Sequence, residues 1–418
     1  MLHFPVPASA SSRAILFTAF EPSGDDHASW VIAELRRRHP LLPIYAWGGP
    51  KMERAGATII ERTGDDAVMG VPGLAKIREH HRINARIATW LERHPINVHI
   101  PVDSPAANFP ICEIAKSRGI KVVHLVAPQI WAWGRWRIHK LRRMTDMVLC
   151  LLPFEQRFFE RRNVPARFIG HVLFDRPLDL ESLDVRAEQF GDGRPRVAMM
   201  PGSRPDELRR HLDLLLDSFA LIKAKHPMAL GIVAAGNDHA KSQIDGLIAA
   251  RPGGLPVGVQ VVVQETDAVI RWSSIALVKS GTITLQVARQ LKPMVTFYTK
   301  ANPIFYLAVK AVLSTKLFSL PNVVAARRII PEFIPHWGGA EPIAEEALRL
   351  IEDSKAYERQ RADLIDLCQQ FDGKYAAGLA ADAIEEIGDI VRRDTPSRVG
   401  RIPDIFDRPA LRSVDESP

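Results

Sequence analysis

Cysteine is scarce in this chain, and long apolar stretches are missing. The three cysteines, Cys112, Cys150 and Cys368, are odd in number, far apart and set among apolar neighbours. That is the pattern of small core residues, not of a disulfide framework or a thiolate zinc site. No apolar run reaches the roughly 18 residues of a membrane-spanning helix, and the longest, Ile120 to Ala127 and Met147 to Pro153, read as buried strands. Residues 1–12 hold an Ala-Ser-Ala stretch but neither a basic start nor a long apolar centre, so a cytoplasmic protein is expected and a secretory signal is not. There is no Gly-Lys-Ser/Thr phosphate loop and no Gly-x-Gly-x-x-Gly after the first strand, which argues against ATPases and dehydrogenases. No Asp-x-Asp stands at a convincing strand end, and His80, His81, His94 and His99 lack a matching carboxylate or cysteine set, so no metal site is expected. No internal repeat of about 20–50 residues is present.

What the chain does have is ordinary globular material: 418 residues, 46% hydrophobic and 25% charged, enough for two domains or three. Lys and Arg number 55 against 48 Asp and Glu, a net charge of +7. This favours anionic partners, with nucleic acid, anionic lipid and phosphorylated metabolites all open. The sharpest basic cluster, Arg135, Arg137, Lys140, Arg142 and Arg143, is interleaved with Trp131, Trp133 and Trp136. Such a mixture stacks bases, touches lipid headgroups or simply forms a solvated helix face.

Short apolar runs alternate with longer polar-patterned segments over residues 14–153: Ala14 to Phe20, Ile44 to Trp47, Val98 to Val102, Lys121 to Val126 and Met147 to Leu152. This is βα repetition, and it recurs with Arg196 to Met200, Leu230 to Ala235, Val259 to Val263, Ile275 to Lys279 and Pro293 to Tyr298. Two parallel sheets follow. Residues 176–195 are polar, proline-bounded and without core pattern, and are read as the linker; helices over 346–392 close the fold. Residues 1–12 are expected to be flexible and 393–418 disordered.

Three Ser/Gly turns each end an apolar strand and open a helix: Phe20 to Asp26, Pro201 to Glu207 and Lys279 to Leu285. Unpaired N–H groups and about half a positive charge at a helix start suit a diphosphate. In the first turn Ser23 and Asp26 have the spacing of a capping box, which accounts for Ser23, Gly24 and Asp26 without function but leaves Glu21 unexplained. In the second, Ser203 reads as the N-cap, and Arg204 is the oddity, a cation at the positive end of a helix whose planar fork suits an anion. In the third, Gly281 lets backbone approach a phosphate. Asp103, ending the strand at Val102, is a candidate general base, since burial there raises a carboxyl group's pKa toward a useful range; an Asp bonding its own turn before Pro105 is the plain alternative.

These motifs assemble in order: Glu21-Pro-Ser-Gly-Asp25, Gly48-Gly-Pro-Lys-Met52, Ala67-Val-Met-Gly70, Asp103-Ser-Pro105, Ala127-Pro-Gln-Ile-Trp-Ala-Trp133 and Leu152-Pro-Phe-Glu155. They continue through Phe168-Ile-Gly-His171, Pro201-Gly-Ser-Arg204, Ser280-Gly-Thr282, Pro293-Met-Val295 and Ser319-Leu-Pro-Asn322. From about residue 14 to 390 the chain resembles lipid-A-disaccharide synthase. The resemblance implies an α/β fold of the GT-B type, two Rossmann-like doubly wound parallel-sheet domains facing a cleft. Residues 13–175 would form the acceptor and membrane-side domain and 196–345 the UDP-sugar domain. It also implies a place in lipid A biosynthesis: inverting transfer of 2,3-diacylglucosamine from UDP-2,3-diacylglucosamine to the 6-hydroxyl of 2,3-diacylglucosamine 1-phosphate, releasing UDP. No cofactor, metal or nucleic acid takes part in this picture, a homodimer is compatible with it, and the inner-membrane surface is the expected location.

By the same resemblance Asp103 is the base. Glu21, Ser23, Gly24, Asp25, Asn108 and Trp131 bind the acceptor side, and Ser203, Arg204, Ser280, Gly281, Thr282, Gln286 and Asn322 bind the nucleotide. The Trp-rich basic segment and Ile304 to Phe318 are the candidate membrane contacts, the latter reading equally as a core helix. Three departures stand out. Gln286 replaces a glutamate that holds the ribose in the family, Ala106 and Ala107 replace Asp-Phe before Asn108, and Pro335-His336 follow Glu332-Phe333-Ile334 where glutamine is usual. They motivate two alternatives, a GT-B transferase with a different acceptor and a catalytically silent membrane-associated paralogue.

Overall fold

The computed structural model describes residues 14–63, 74–175, 177–299 and 315–390. The Ala67-Val-Met-Gly70 motif, residues 1–12, residues 304–314 of the expected membrane contact and the tail from 393 lie outside them. Two compact units result. The first draws on Met1–Ile130, Arg135–Asp175 and Lys374–Pro418, the second on Trp131–Gly134 and Arg176–Gly373.

In the first unit the strands β1 (Ile15–Ala19), β2 (Ile44–Gly48), β3 (Thr58–Arg62), β4 (Val98–Val102), β5 (Lys121–Leu125), β6 (Met147–Cys150) and β7 (Ala166–Phe168) form a parallel sheet in the order β3-β2-β1-β4-β5-β6-β7. The sheet is buried on both faces because each strand feeds both: Ile15, Phe17 and Ala19 enter one core, and Ala14, Leu16 and Phe20 the other, the alternation that a pleated strand imposes. Helices α1 (Pro22–Arg38), α2 (Pro50–Arg54), α3 (Leu74–Leu91), α4 (Pro105–Ser117), α5 (Ile138–Met144) and α6 (Pro153–Glu160) follow the strands.

The second unit repeats the plan. Its sheet runs β10-β9-β8-β11-β12-β13, with β8 (Arg196–Met200), β9 (Leu230–Ala235), β10 (Val259–Val263), β11 (Ile275–Lys279), β12 (Met294–Thr299) and β13 (Glu332–His336) all parallel. Around it lie α7 (Leu180–Glu188), α8 (Pro205–Lys225), α9 (Asp238–Ala250), α10 (Thr266–Trp272), α11 (Ile283–Arg289), α12 (Leu320–Ala325), α13 (Glu341–Glu352) and α14 (Ser354–Gln369). A last helix, α15 (Ala376–Ile387), returns to the first unit and places Ala380, Ala381, Ala383 and Ile384 in the core of Ile15 and Phe17. In each sheet the strand order reverses once, between β1 and β4 and between β8 and β11. Ligands of doubly wound sheets bind beyond the carboxyl ends of strands at such a point.

Several sequence expectations change in detail. Residues 176–195, read as a linker, hold α7, capped by Asp179 and tied to α10 by ion pairs from Arg271 to Asp184 at 2.5 Å and Arg186 to Glu265 at 3.0 Å. Its side chains are mostly exposed, so it leaves no core pattern to read. The helix starts also move. Pro22 and Pro205 occupy the first helical position, which their fixed φ favours. Glu21 and Arg204 are therefore the N-caps, and Ser23 lies inside the first turn without a capping bond.

Candidate active site

At the switch point of the first sheet, β1 ends at Ala19, two residues before Glu21, and β4 ends at Val102, directly before Asp103. Asp103 and Ser104 both have positive φ, +48° and +37°, a conformation that costs of order 1–3 kcal/mol in residues other than glycine and that recurs at functional sites. The neighbourhood enforces it. The Asp103 N–H donates to Leu125 O at 2.9 Å, and the buried Asn108 amide donates to both Val102 O and Asp103 O at 3.0 Å. Asn108 is held in turn by Thr18 Oγ1, which donates to its Oδ1 at 2.6 Å and accepts from His99 Nε2 at 2.9 Å. Burial, with His124 nearby, pushes His99 down to about 3, so the ring is neutral. Asn108, expected to touch substrate, thus spends its side chain on shaping the Asp103 turn.

Ser104 Oγ donates to Glu21 Oε1 at 2.6 Å, bringing the two strand ends together. Burial, reinforced by the Glu21 charge and opposed by the Ser104 N–H, raises the Asp103 carboxyl to about 6. A carboxyl group there is still largely ionised at neutral pH and is a stronger base than an ordinary aspartate. Gly24 lies under this corner: a Cβ on it would stand 3.2 Å from Ala19 Cβ, a tight contact that Ala19 would have to yield to, and 3.6 Å from Val102 Cγ1, an ordinary one. Glycine thus eases the close approach of α1 to the β1 and β4 ends. Ser23 is exposed beside it. Asp25 is buried, and its carboxylate accepts the N–H groups of Gly49, Lys51 and Met52 at 3.2, 3.0 and 2.9 Å, capping α2. Trp131 is buried, whereas Trp133 and Trp136 are 46% and 63% exposed.

At the switch point of the second sheet two turns meet. The first, Gly202-Ser203-Arg204, leads into α8, and the second, Ser280-Gly281-Thr282, leaves β11 for α11. The Ser280 N–H donates to Phe297 O at 2.8 Å, and Thr284 Oγ1 donates to Gly281 O at 2.7 Å, fixing the second turn. Between them is Glu207, buried, accepting from Lys279 Nζ at 2.8 Å and Arg204 Nη1 at 3.1 Å. Burial works against the Glu207 carboxylate, but Lys279 and Arg204 outweigh it and hold the carboxyl below its usual range. Gln286 donates to Asp267 Oδ1 at 2.9 Å, so a carboxylate stands beside this amide. Asn322, expected at the donor, is fully buried. It accepts from the N–H groups of Ile329 and Ile330 and donates to Ile330 O, which makes it the brace of the loop before β13.

Sequence reading missed Glu207 and Lys279 as partners. Glu207 looked like an ordinary first-turn acid; the available signal was Lys279, a lysine closing the otherwise apolar strand Ile275-Ala-Leu-Val278 directly before Ser-Gly.

Residues 15–385 match the family model described as lipid-A-disaccharide synthetase. The chain belongs to that family. The lipid-A-disaccharide synthase of Anaeromyxobacter dehalogenans is 36% identical over 355 residues, spanning 84% of this chain and 91% of its own. That of Solibacter usitatus is 34% identical over 380 residues, 89% and 97% of the two chains. Among solved structures, a glycosyltransferase of kitacinnamycin superposes with a TM-score of 0.60 over 90% of this chain and 100% of its own, at 17% identity. That likeness carries the fold alone, two parallel-sheet α/β domains of the GT-B type.

Proposed function

We propose that this chain transfers 2,3-diacylglucosamine from UDP-2,3-diacylglucosamine to the 6-hydroxyl of 2,3-diacylglucosamine 1-phosphate, with inversion, forming a β-1,6 link and releasing UDP. The observation that carries the mechanism is Asp103, a carboxylate raised to about 6 at the switch point of the first sheet. Asp103 takes the proton of the acceptor hydroxyl as its oxygen attacks the anomeric carbon, and the bond from that carbon to the diphosphate breaks. The negative charge that develops on the diphosphate is met by Arg204, whose Nη1 is already fixed on Glu207, and by the positive helix starts behind the Ser203 and Ser280 turns. The Ser203 and Ser280 N–H groups themselves are engaged with Glu207 Oε2 and Phe297 O. Glu21 and Ser23 line the acceptor side, with Gly24 giving the close approach. Gln286 and Asp267 face the ribose. The reading calls on no metal and no cofactor.

Acylated substrates place the enzyme at the cytoplasmic face of the inner membrane as a peripheral protein. Trp133 and Trp136 are exposed, as are Arg135, Arg142 and Arg143 of the same sequence segment, and this supports the reading. Among the described residues no helix is long and apolar enough to cross a membrane.

The deciding experiment measures UDP release from UDP-2,3-diacylglucosamine with and without 2,3-diacylglucosamine 1-phosphate. Release should require the acceptor and fall roughly 10²–10⁴-fold in Asp103→Asn, the usual worth of a positioned base, while UDP binding by calorimetry stays as in the wild type. Unchanged turnover in the variant would remove Asp103 from the role.

A further inference from the structure

Glu207 is 6% exposed, and its carboxylate is contacted from both turns of the second switch point. Oε1 accepts from Lys279 Nζ at 2.8 Å and from Arg204 Nη1 at 3.1 Å, and Oε2 accepts from the Ser203 N–H at 3.2 Å. Gly202, with φ +109°, makes room for this: a Cβ there would lie 2.5 Å from Glu207 Oε2. Lys279 is itself 11% exposed in its side chain, with Nζ 5.3 Å from the Tyr298 ring centroid. The same nitrogen stands 3.4 Å from where a Cβ on Gly281 would be, over the turn that follows β11.

Two cations therefore share one carboxylate oxygen, and one of them, Lys279, is held in a mostly buried place. A charge there is costly to keep unless it does something for the molecule. Glu207 does not need Lys279 for its own satisfaction, because Arg204, the Ser203 N–H and its place in the first turn of α8 already stabilise a carboxylate. An ammonium has three donors, and the Glu207 bond uses one. Lys279 is thus better explained by a ligand than by the fold.

We propose that Lys279 binds the donor's diphosphate directly beside Arg204, and that Glu207 is the positioning residue that holds the two cations as one clamp across the Gly202-Ser203-Arg204 and Ser280-Gly281-Thr282 turns. This rests on the UDP-sugar transferase reading above. The diphosphate gains charge as the sugar leaves, so a preset pair of cations favours the transition state over the bound donor.

The test is a double-mutant cycle read by UDP calorimetry and by UDP release, with Tm followed throughout. Lys279→Met should weaken UDP about 10–100-fold, the worth of one lost charge-assisted bond, with little change in Tm, and Lys279→Arg should recover part of the loss. Glu207→Gln keeps the shape and an accepting oxygen; it should lower kcat more than it raises KM. Combined with Lys279→Met it should add little to UDP affinity loss, since it acts through Lys279. Unchanged UDP affinity in Lys279→Met, or effects of the two substitutions that simply add, would overturn the clamp. If the wild type binds UDP in a Lys279-dependent manner yet releases none from the acylated donor, the clamp stands and the acceptor assignment is what fails.

Discussion

Asp103 and Glu21 sit at the ends of adjacent strands, linked through Ser104. Their closeness sets a pH behaviour whose sign can be worked out. Asp103 serves as a base only when ionised, and its carboxyl is raised to about 6, first by burial and second by the Glu21 charge. Below that value kcat/KM should fall about tenfold per pH unit as the base is protonated. Glu21→Gln removes the like charge and leaves the burial, so the acidic limb should move to lower pH without vanishing. A pH series of UDP release on the two proteins measures this; a limb that stays in place would mean that the titrating group is not Asp103 beside Glu21. The neutral Thr18–His99–Asn108 relay beneath the turn contributes no titration of its own in this range, since His99 is held near 3.

At the level of elements, side chains that looked like substrate contacts turn out to hold the backbone from a distance. Asp25 caps α2 through three N–H groups more than 20 residues further on, and this predicts a stability effect instead of a substrate effect. Asp25→Ala should destabilise the first unit by about 1–2 kcal/mol, as loss of a cap does, read as a lower Tm with acceptor KM nearly unchanged. A raised acceptor KM at unchanged Tm would return Asp25 to the acceptor site.

The same distinction separates what the sequence made legible from what it hid. Strands paired on both sides, such as β1, β4, β8 and β11, are buried on both faces and so mostly apolar, with polar residues few or at their ends, and the sequence pattern places them within a residue or so of their limits. Strands β3, β7 and β13 escaped notice. Each is a sheet edge with only one neighbour, so Glu61 and Arg62 in β3 and Pro335 in β13 are tolerated and the apolar pattern fades. Asp103, Glu21 and Arg204 were legible because their types clash with their local setting. The bracing of Asn108 and Asn322, the α2 cap and the Glu207–Lys279 pair were not, because each depends on segments that only the fold brings together.

On the scale of the whole chain, the order of the sequence does not match the order of assembly. The first unit is closed by residues that come after the entire second unit. Asp175, the last residue before the chain departs, accepts the N–H groups of Ala376 and Ala377 at 2.7 and 3.0 Å, where it returns. Nearby, Arg38 from α1 pairs with Asp382 at 2.6 Å and with Glu385 at 3.1 Å. Helical periodicity alone identifies α15 as amphipathic but cannot say which core receives its apolar face.

A chain ending at Gly373 should therefore fail in its first unit although its second keeps every core residue. Removing Ile384 alone is worth about 2–5 kcal/mol if the site behaves as an ordinary core position. Losing Ala380, Ala381 and Ala383 with it takes away an amount comparable to a domain's entire stability of about 5–15 kcal/mol. Thermal unfolding with limited proteolysis would show a protease-sensitive first unit and a surviving fragment from residues 176–373. The point variant Asp175→Ala, which keeps α15 but removes its N-terminal acceptor, should lower the first unit's Tm by a few degrees only. Equal Tm and equal protease resistance in the truncated and full chains would show that α15 is an accessory to the first unit, against its burial in the same core as Ile15, Phe17 and Val102.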